Sequence, residues 1–214
     1  MSSNPVTPTA VRQGTATREA GRNTAQRILD SARQLLAQKG HSQFSMRNVA
    51  DGANLRLANV QYYFPKRQQL VEAIMADTGQ RYTRAYERLI ANCDDPEERL
   101  RRVLRYQIDD AFEPETRRFF IQLWALLNTI DDGSGKLLSE LYAYDLDPLM
   151  DAVKAINPQL PSREIRRRAT LLAGLIEGMM VVRGGRSRND EWGHDLLESA
   201  FQLGISIAEG TATQ

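Results

Sequence analysis

Apolar residues in this chain recur every three or four positions and nowhere alternate one by one, so the pattern predicts an all-α fold with no sheet. The first stripe, Ile28, Leu29, Ala32, Leu35 and Leu36, predicts a helix over about 23–39, with Gly40 as its stop. Two short phrases follow. In one, Met46, Val49, Ala50 and Ala53 repeat at helical spacing behind Ser45, whose hydroxyl suits an N-cap. In the other, over 57–64, Val60 and Phe64 point inward, Leu57, Asn59, Gln61, Tyr62 and Tyr63 are left facing outward, and Pro65 closes the helix. Asn54, between the phrases, is of a residue type that tolerates φ > 0 and so serves a tight reversal. The stretch 45–67 therefore predicts a helix-turn-helix.

Longer helices are expected downstream. One runs over about 66–92, with Leu70, Val71, Ile74 and Met75 early and Tyr82, Tyr86, Leu89 and Ile90 late. Asp94, Asp95 and Pro96 break it and start the next, over 96–112, with acids where the helix dipole favours them. That helix carries Leu100, Val103, Leu104, Gln107 and Ile108 on one side and Arg99, Arg101, Arg102 and Arg105 on a solvated face. Over 114–129 the apolar run is nearly continuous, which predicts a helix buried on most sides at the centre of a second domain. A loop at 131–135 leads to a helix over 136–156 that Pro148 can bend. The last two helices are expected from Ser162, as cap, to Gly184-Gly185 and over 191–209. Gly174 and Gly178, one turn apart, cost helix stability and make most sense where another helix packs closely.

The outward residues of the second short phrase carry a particular chemistry. Asn and Gln pair bidentately with adenine N6 and N7, Tyr hydroxyls donate to phosphate, and Lys and Arg hold phosphate oxygens. The candidate DNA-binding set is thus Ser45, Arg47, Arg56, Leu57, Asn59, Gln61, Tyr62, Tyr63, Lys66 and Arg67. Arg47, Arg56, Lys66 and Arg67 are assigned chiefly to phosphates, and Leu57, Asn59, Gln61 and Tyr62 to base edges or thymine methyls.

Together, Ile28, Leu29, Ala32, Leu35, Leu36, Gly40, Val49-Ala50, Ala53, Tyr62-Tyr63-Phe64 and Leu70 make the segment 27–70 resemble the DNA-binding domain of the TetR family of bacterial transcriptional regulators. The chain departs from that pattern at the turn. Asn54-Leu55-Arg56 stands where Gly-Val-Ser is usual, which removes the usual N-cap of the recognition helix, and Ala58, Gln61 and His41 also differ. The resemblance implies a helix-turn-helix domain over 21–70 and a helical effector-binding and dimerisation domain over 71–214. It implies a homodimer joined by the last two helices, here through Leu172, Leu175, Met179, Leu197, Phe201 and Ile205, although the same two helices also fit an intramolecular core. Two copies would read a palindromic operator in double-stranded DNA, with half-sites about 34 Å apart or somewhat more. A small-molecule effector among the middle helices, near Tyr86, Tyr106, Phe119, Phe120, Trp124, Tyr142 and Met179, would shift the long fourth helix and release the operator, as a repressor does.

Charge agrees with this division. The formal net charge of the 214-residue chain is only +1, yet residues 1–70 carry +7 and the remainder −6. A basic end and an acidic end are the footprint expected when one part of a protein approaches phosphates and the other does not. Residues 1–20, rich in Thr, Ser, Ala and Pro, have almost nothing to bury and are expected to form a flexible tail whose Arg12 and Arg18, with Arg22 just beyond, could serve as a minor-groove or phosphate-seeking arm. No apolar stretch spans a bilayer and no signal peptide opens the sequence, so a cytoplasmic location and no membrane partner are expected. The single Cys93 forms no internal disulfide and reads as inert.

Catalysis finds little support. His41 and His194 are the only histidines and lie far apart, and there is no metal-ligand cluster, phosphate loop or nucleophile elbow, so neither an enzyme nor a metal or other cofactor is expected. Acid pairs such as Asp109-Asp110 read as solvated charge. The competing reading is an α-helical ligand-sensing or protein-interaction module without sequence-specific DNA binding, which the altered turn at 54–56 keeps open.

Overall fold

The computed structural model describes residues 18–130, 134–182 and 191–211, and all long elements among them are helices. In chain order these are α1 (Arg18–Lys39), α2 (Met46–Gly52), α3 (Leu57–Tyr63), α4 (Arg67–Ile90), α5 (Pro96–Ala111), α6 (Pro114–Leu127), α7 (Ser134–Ile156), α8 (Ser162–Val182) and α9 (Glu191–Glu209), with one 3-10 turn at His41–Gln43. Most boundaries follow the apolar pattern closely. The largest departure is α1, which begins at Arg18, so the end of the expected tail is helical. Its first turn carries an acid, Glu19, where the helix dipole favours it, but no apolar residue larger than Ala20, so hydrophobic spacing does not register it. Ser162 is the first residue of α8 rather than its cap: the carbonyl of Pro161 already accepts from Glu164 and Ile165. The tail up to residue 17, residues 131–133 of the expected loop and the Gly184-Gly185 stop lie outside the described residues, and the last two positions of that loop, 134 and 135, already belong to α7.

Two compact units divide the chain. One comprises the residues up to Gly79 together with Arg118–Leu138, and the other comprises Gln80–Arg117 with the residues from Ser139 onward. Most of α6 belongs with the amino-terminal unit and does not form the centre of the second, the place its apolar run alone predicts. Apolar continuity shows that a helix is buried. It does not show against what.

In the first unit α1 packs on α2 and α2 on α3. Ile28, Ala32, Leu36, Val49, Val60, Leu70 and Ile74 are wholly buried. Ser31 Oγ donates to the Val49 carbonyl at 2.9 Å, and a Cβ at Gly52 would lie only 2.5 Å from that same Oγ, so glycine permits the α1–α2 crossing. Arg27 Nη2 donates to the Ala53 carbonyl at 2.8 Å and ties down the end of α2. At Gly40 the backbone takes φ 81°, and the following His41 N–H donates to Gln122 Oε1 on α6 at 2.9 Å.

In the second unit α5 packs against α8 and α9, which pack on each other. Asp95 accepts from the Glu97 N–H at 3.1 Å and caps α5, with Pro96 in its first turn. The arginines of α5 pair as a solvated face does, Arg102 with Glu98 at 2.8 Å and Arg105 with Glu198 at 2.7 Å. Leu172, Leu197, Phe201 and Ile205, expected between two copies, are buried within this unit, and Leu175 and Met179 are half-buried. The correction has a simple cause. Two apolar stripes run along α8 and α9, and these residues lie on the inner ones. Leu171, Val181, Val182 and Leu203 lie on exposed faces, and a Cβ at Gly174 or Gly178 would meet nothing within 4 Å.

Candidate functional site

The helix-turn-helix is built by local hydrogen bonds. Ser45 Oγ accepts from the Asn48 N–H at 3.1 Å and caps α2, and Asn48 Nδ2 in turn donates to the Gln43 carbonyl at 2.7 Å. Asn54 takes φ 52° at the turn, and the Leu55 N–H returns to the Ala50 carbonyl at 2.9 Å, closing α2. Arg56 then occupies the N-cap of α3 and makes no side-chain cap, as the departure at 54–56 predicts. The helix is held by its inner face, since Val60 and the adjoining Phe64 are 0% and 4% exposed.

What remains outside is narrower than the sequence suggests. Leu57, Asn59, Gln61 and Tyr62 are exposed, but Tyr63 is only 8% exposed, with its ring edge against Tyr62 at 5.3 Å. Tyr63 falls three residues after Val60 and shares its inward face, which corrects its assignment to the outer surface. Arg47, Arg56 and Lys66 are exposed. Arg67 is half-buried, its guanidinium 5.7 Å from the centre of the Phe44 ring, so part of its role is packing. Ser45 is likewise half-buried and occupied as a cap. The Lys66 N–H donates to Gln69 Oε1 at 3.1 Å, half of a capping box at the start of α4.

A second concentration of chemistry lies inside the other unit. Tyr82 and Tyr86 stack at 6.1 Å, and Tyr106 meets Tyr86 edge-on at 5.5 Å. The Tyr82 hydroxyl donates to Asp110, which also accepts from Thr116 Oγ1 at 3.1 Å, so Asp110 is a structural acceptor and not the solvated charge its sequence context suggests. Gln107 is 7% exposed; its Nε2 donates to Tyr86 Oη at 2.8 Å, and its Oε1 has no hydrogen-bond partner.

Burial, then the charge of Asp110, pushes Asp145 up to about 6, against a stabilising hydrogen bond from Tyr86. Burial likewise raises Glu177 to about 7, assisted by Asp145 and opposed by a hydrogen bond from Tyr142. The phenols of Tyr82, Tyr86, Tyr106 and Tyr142 are all raised, with burial the first cause, so each stays protonated and able to donate. Beside this cluster a cleft of about 390 Å³ is lined by Tyr86, Val103, Tyr144 and Pro148 and rimmed by Glu87, Asp147 and Asp151 against one base, Arg99.

Of the expected pocket residues, Tyr86, Tyr106 and Tyr142 belong to this unit, with Met179 half-buried on α8. Phe119, Phe120 and Trp124 belong to the first unit, where Phe119 lies under the Arg33 guanidinium at 4.3 Å and against Phe120 at 5.3 Å. Sequence reasoning passed over Asp145, Glu177, Tyr82 and the role of Gln107. One signal was visible, a lone amide on the otherwise apolar stripe of α5.

Residues 28–74 match the family described as bacterial regulatory proteins, tetR family. The helix-turn-helix-type transcriptional regulator of the dhlA 5′ region of Xanthobacter autotrophicus is 35% identical over 144 residues, covering 61% of this chain and 69% of that protein. Solved structures agree in fold. A TetR transcription regulator from Haloarcula marismortui superposes with TM-score 0.69 at 16% identity, over 88% of this chain and 98% of that one. A transcriptional-regulator structure from Saccharomonospora viridis, in complex with choline, gives 0.67 at 18% identity, over 85% and 95%. At these identities the structures speak to the fold alone.

Proposed function

The chain belongs to the TetR family of bacterial regulatory proteins and is a DNA-binding transcriptional regulator, and from that premise we propose that it is a cytoplasmic repressor that holds a palindromic operator as a homodimer and releases it on binding a small molecule. One observation carries the DNA reading: α3 buries Val60 and leaves Leu57, Asn59, Gln61 and Tyr62 outward as one continuous set. Asn59 and Gln61 read base edges, Leu57 and Tyr62 meet thymine methyls and sugar, and Arg47, Arg56 and Lys66 hold phosphates. Arg67 adds charge from behind.

A seven-residue recognition helix supplies few base contacts, so two copies are needed for strong discrimination. The outward stripe of α8 and α9 supports the pairing. Leu171 and Leu203 are 49% and 46% exposed, and the open space at Gly174 and Gly178 lets a second backbone approach closely. The effector belongs in the second unit, at the tyrosine cluster. Tyr82 and Tyr86 sit on α4, the helix that directly follows α3 and Pro65, so a ligand that moves them acts on the segment that presents the DNA-reading surface.

Selection from random duplexes by the full chain tests this reading. An enriched inverted repeat whose half-sites are one helical turn or somewhat more apart is the expected result. Binding that is weak, without sequence preference and erased by moderate salt would overturn it.

A further inference from the structure

We propose that the small molecule taken up by the second unit is a protonated organic amine, its carbon body in the cleft and its N–H-bearing cation among Tyr86, Tyr106, Gln107 and Asp145. This rests on the effector reading above and names the chemical class that reading leaves open.

Four observations converge on it. Gln107 Oε1 is buried without a partner, and an amide oxygen can only accept, so the missing group is a donor. Asp145 and Glu177 lie close enough to feel each other, and among the described residues the groups acting on them are neighbouring acids and tyrosine hydroxyls in a buried setting. Three tyrosine rings within 6.4 Å of one another supply the electron-rich faces that attract a positive group. Finally, the rim of the cleft carries Glu87, Asp147 and Asp151 against Arg99, a field that gathers cations and turns anions away.

Tyr86 is the shared wall. It lines the cleft, accepts from Gln107 Nε2 and donates to Asp145. An incoming ammonium takes over the donation to Asp145 and gives another N–H to Gln107 Oε1, while Tyr86 Oη goes on accepting from Gln107 Nε2. A quaternary ammonium satisfies the charge but has no N–H for Gln107, a neutral alcohol offers the donor without the charge, and a carboxylate meets only repulsion. Because Glu177, raised to about 7 beside Asp145, holds a proton for part of the time near neutral pH, arrival of the cation drives that proton off.

Calorimetry on the full chain with a series of primary alkyl and arylalkyl amines of two to ten carbons, their trimethylammonium and alcohol counterparts and matched carboxylates tests the assignment. At least one primary ammonium should saturate the site, at least about tenfold more tightly than its trimethylammonium and alcohol counterparts, with proton release visible as a difference between buffers of unlike ionisation enthalpy. Asp145→Asn should weaken that binding about tenfold or more. Gln107→Leu should narrow the preference for the primary over the trimethylammonium form to the part that the N–H to Asp145 carries, while retaining a cooperative unfolding transition. The proposal is overturned if no primary ammonium in the series saturates, if a carboxylate binds as tightly, or if both variants bind as the parent chain does. Duplex binding is measured in parallel. Selective duplex binding without any ammonium binding overturns the amine assignment alone, whereas ammonium binding that leaves duplex affinity unchanged supports the amine and overturns the release mechanism.

Discussion

The two units place their polar chemistry in opposite ways. On α3 the reactive side chains stand outside and the helix is secured by apolar residues behind them. In the second unit tyrosines, an amide and two carboxylates are turned inward, and one acceptor there goes unused. An exposed set suits a large polar partner that brings its own water, and burying it would gain nothing. An inward set with an unmet acceptor suits a small partner that replaces water and completes the hydrogen bonding.

If the α3 surface depends on the apolar layer beneath it, breaking that layer should be the most damaging change. Phe64→Ala is expected to cost about 3–5 kcal/mol in urea unfolding, because the residue is 4% exposed and leaves a cavity. Gly178→Ala sharpens the comparison from the opposite side. With nothing within 4 Å of the added methyl, it should stabilise α8 in the single chain by up to about 1 kcal/mol, and it should weaken self-association in sedimentation if a second copy packs there.

Cations near the recognition helix should separate by their surroundings. Lys66→Ala should weaken all duplexes alike and lower the slope of log K against log salt by about 0.9, without changing thermal stability. Arg67→Ala should do the same to DNA and also lower the unfolding midpoint, since it removes the contact with Phe44, worth about 0.5–1 kcal/mol.

A separate effect concerns pH. Asp145 is faced by Asp110 from α5, Tyr86 from α4 and Glu177 from α8, and its carboxyl is raised to about 6 from an ordinary value of 3.8. The folded chain therefore holds this proton more tightly than the unfolded chain, and stability falls as pH rises from about 4 through 6. Asp145→Asn should flatten that decline in a series of thermal melts, with parent and variant differing most above pH 6 and least near pH 4.

Period and punctuation made much of the fold legible. Pro96 and Pro114 in the first turns of α5 and α6, Asn54 at the turn and the apolar stripes placed most helix ends within a few residues, because those signals are local. What a stripe packs against is not local. Hence the apolar run of α6 does not say which unit it joins, and the stripes of α8 and α9 do not say that Leu172, Leu197, Phe201 and Ile205 fill the protomer's own core. Asn59, Gln61 and Tyr62 of α3 could be picked out because they carry hydrogen-bonding groups close together on a short helix whose apolar Val60 points inward. Tyr63 could not, since a single residue step along the helix separates it from the exposed Tyr62. The interior cluster was harder still: Asp145, Glu177 and Gln107 come from three helices, and only folding shows that they share a space.

The central claim is that the outward residues of α3 read bases. Parallel selections from one random duplex pool, with the parent chain and with Asn59→Ala, test it most directly. The account predicts two enriched inverted repeats that differ at one symmetric pair of positions, with about 1–3 kcal/mol of discrimination lost there. Identical enriched sequences at equal stringency would contradict it.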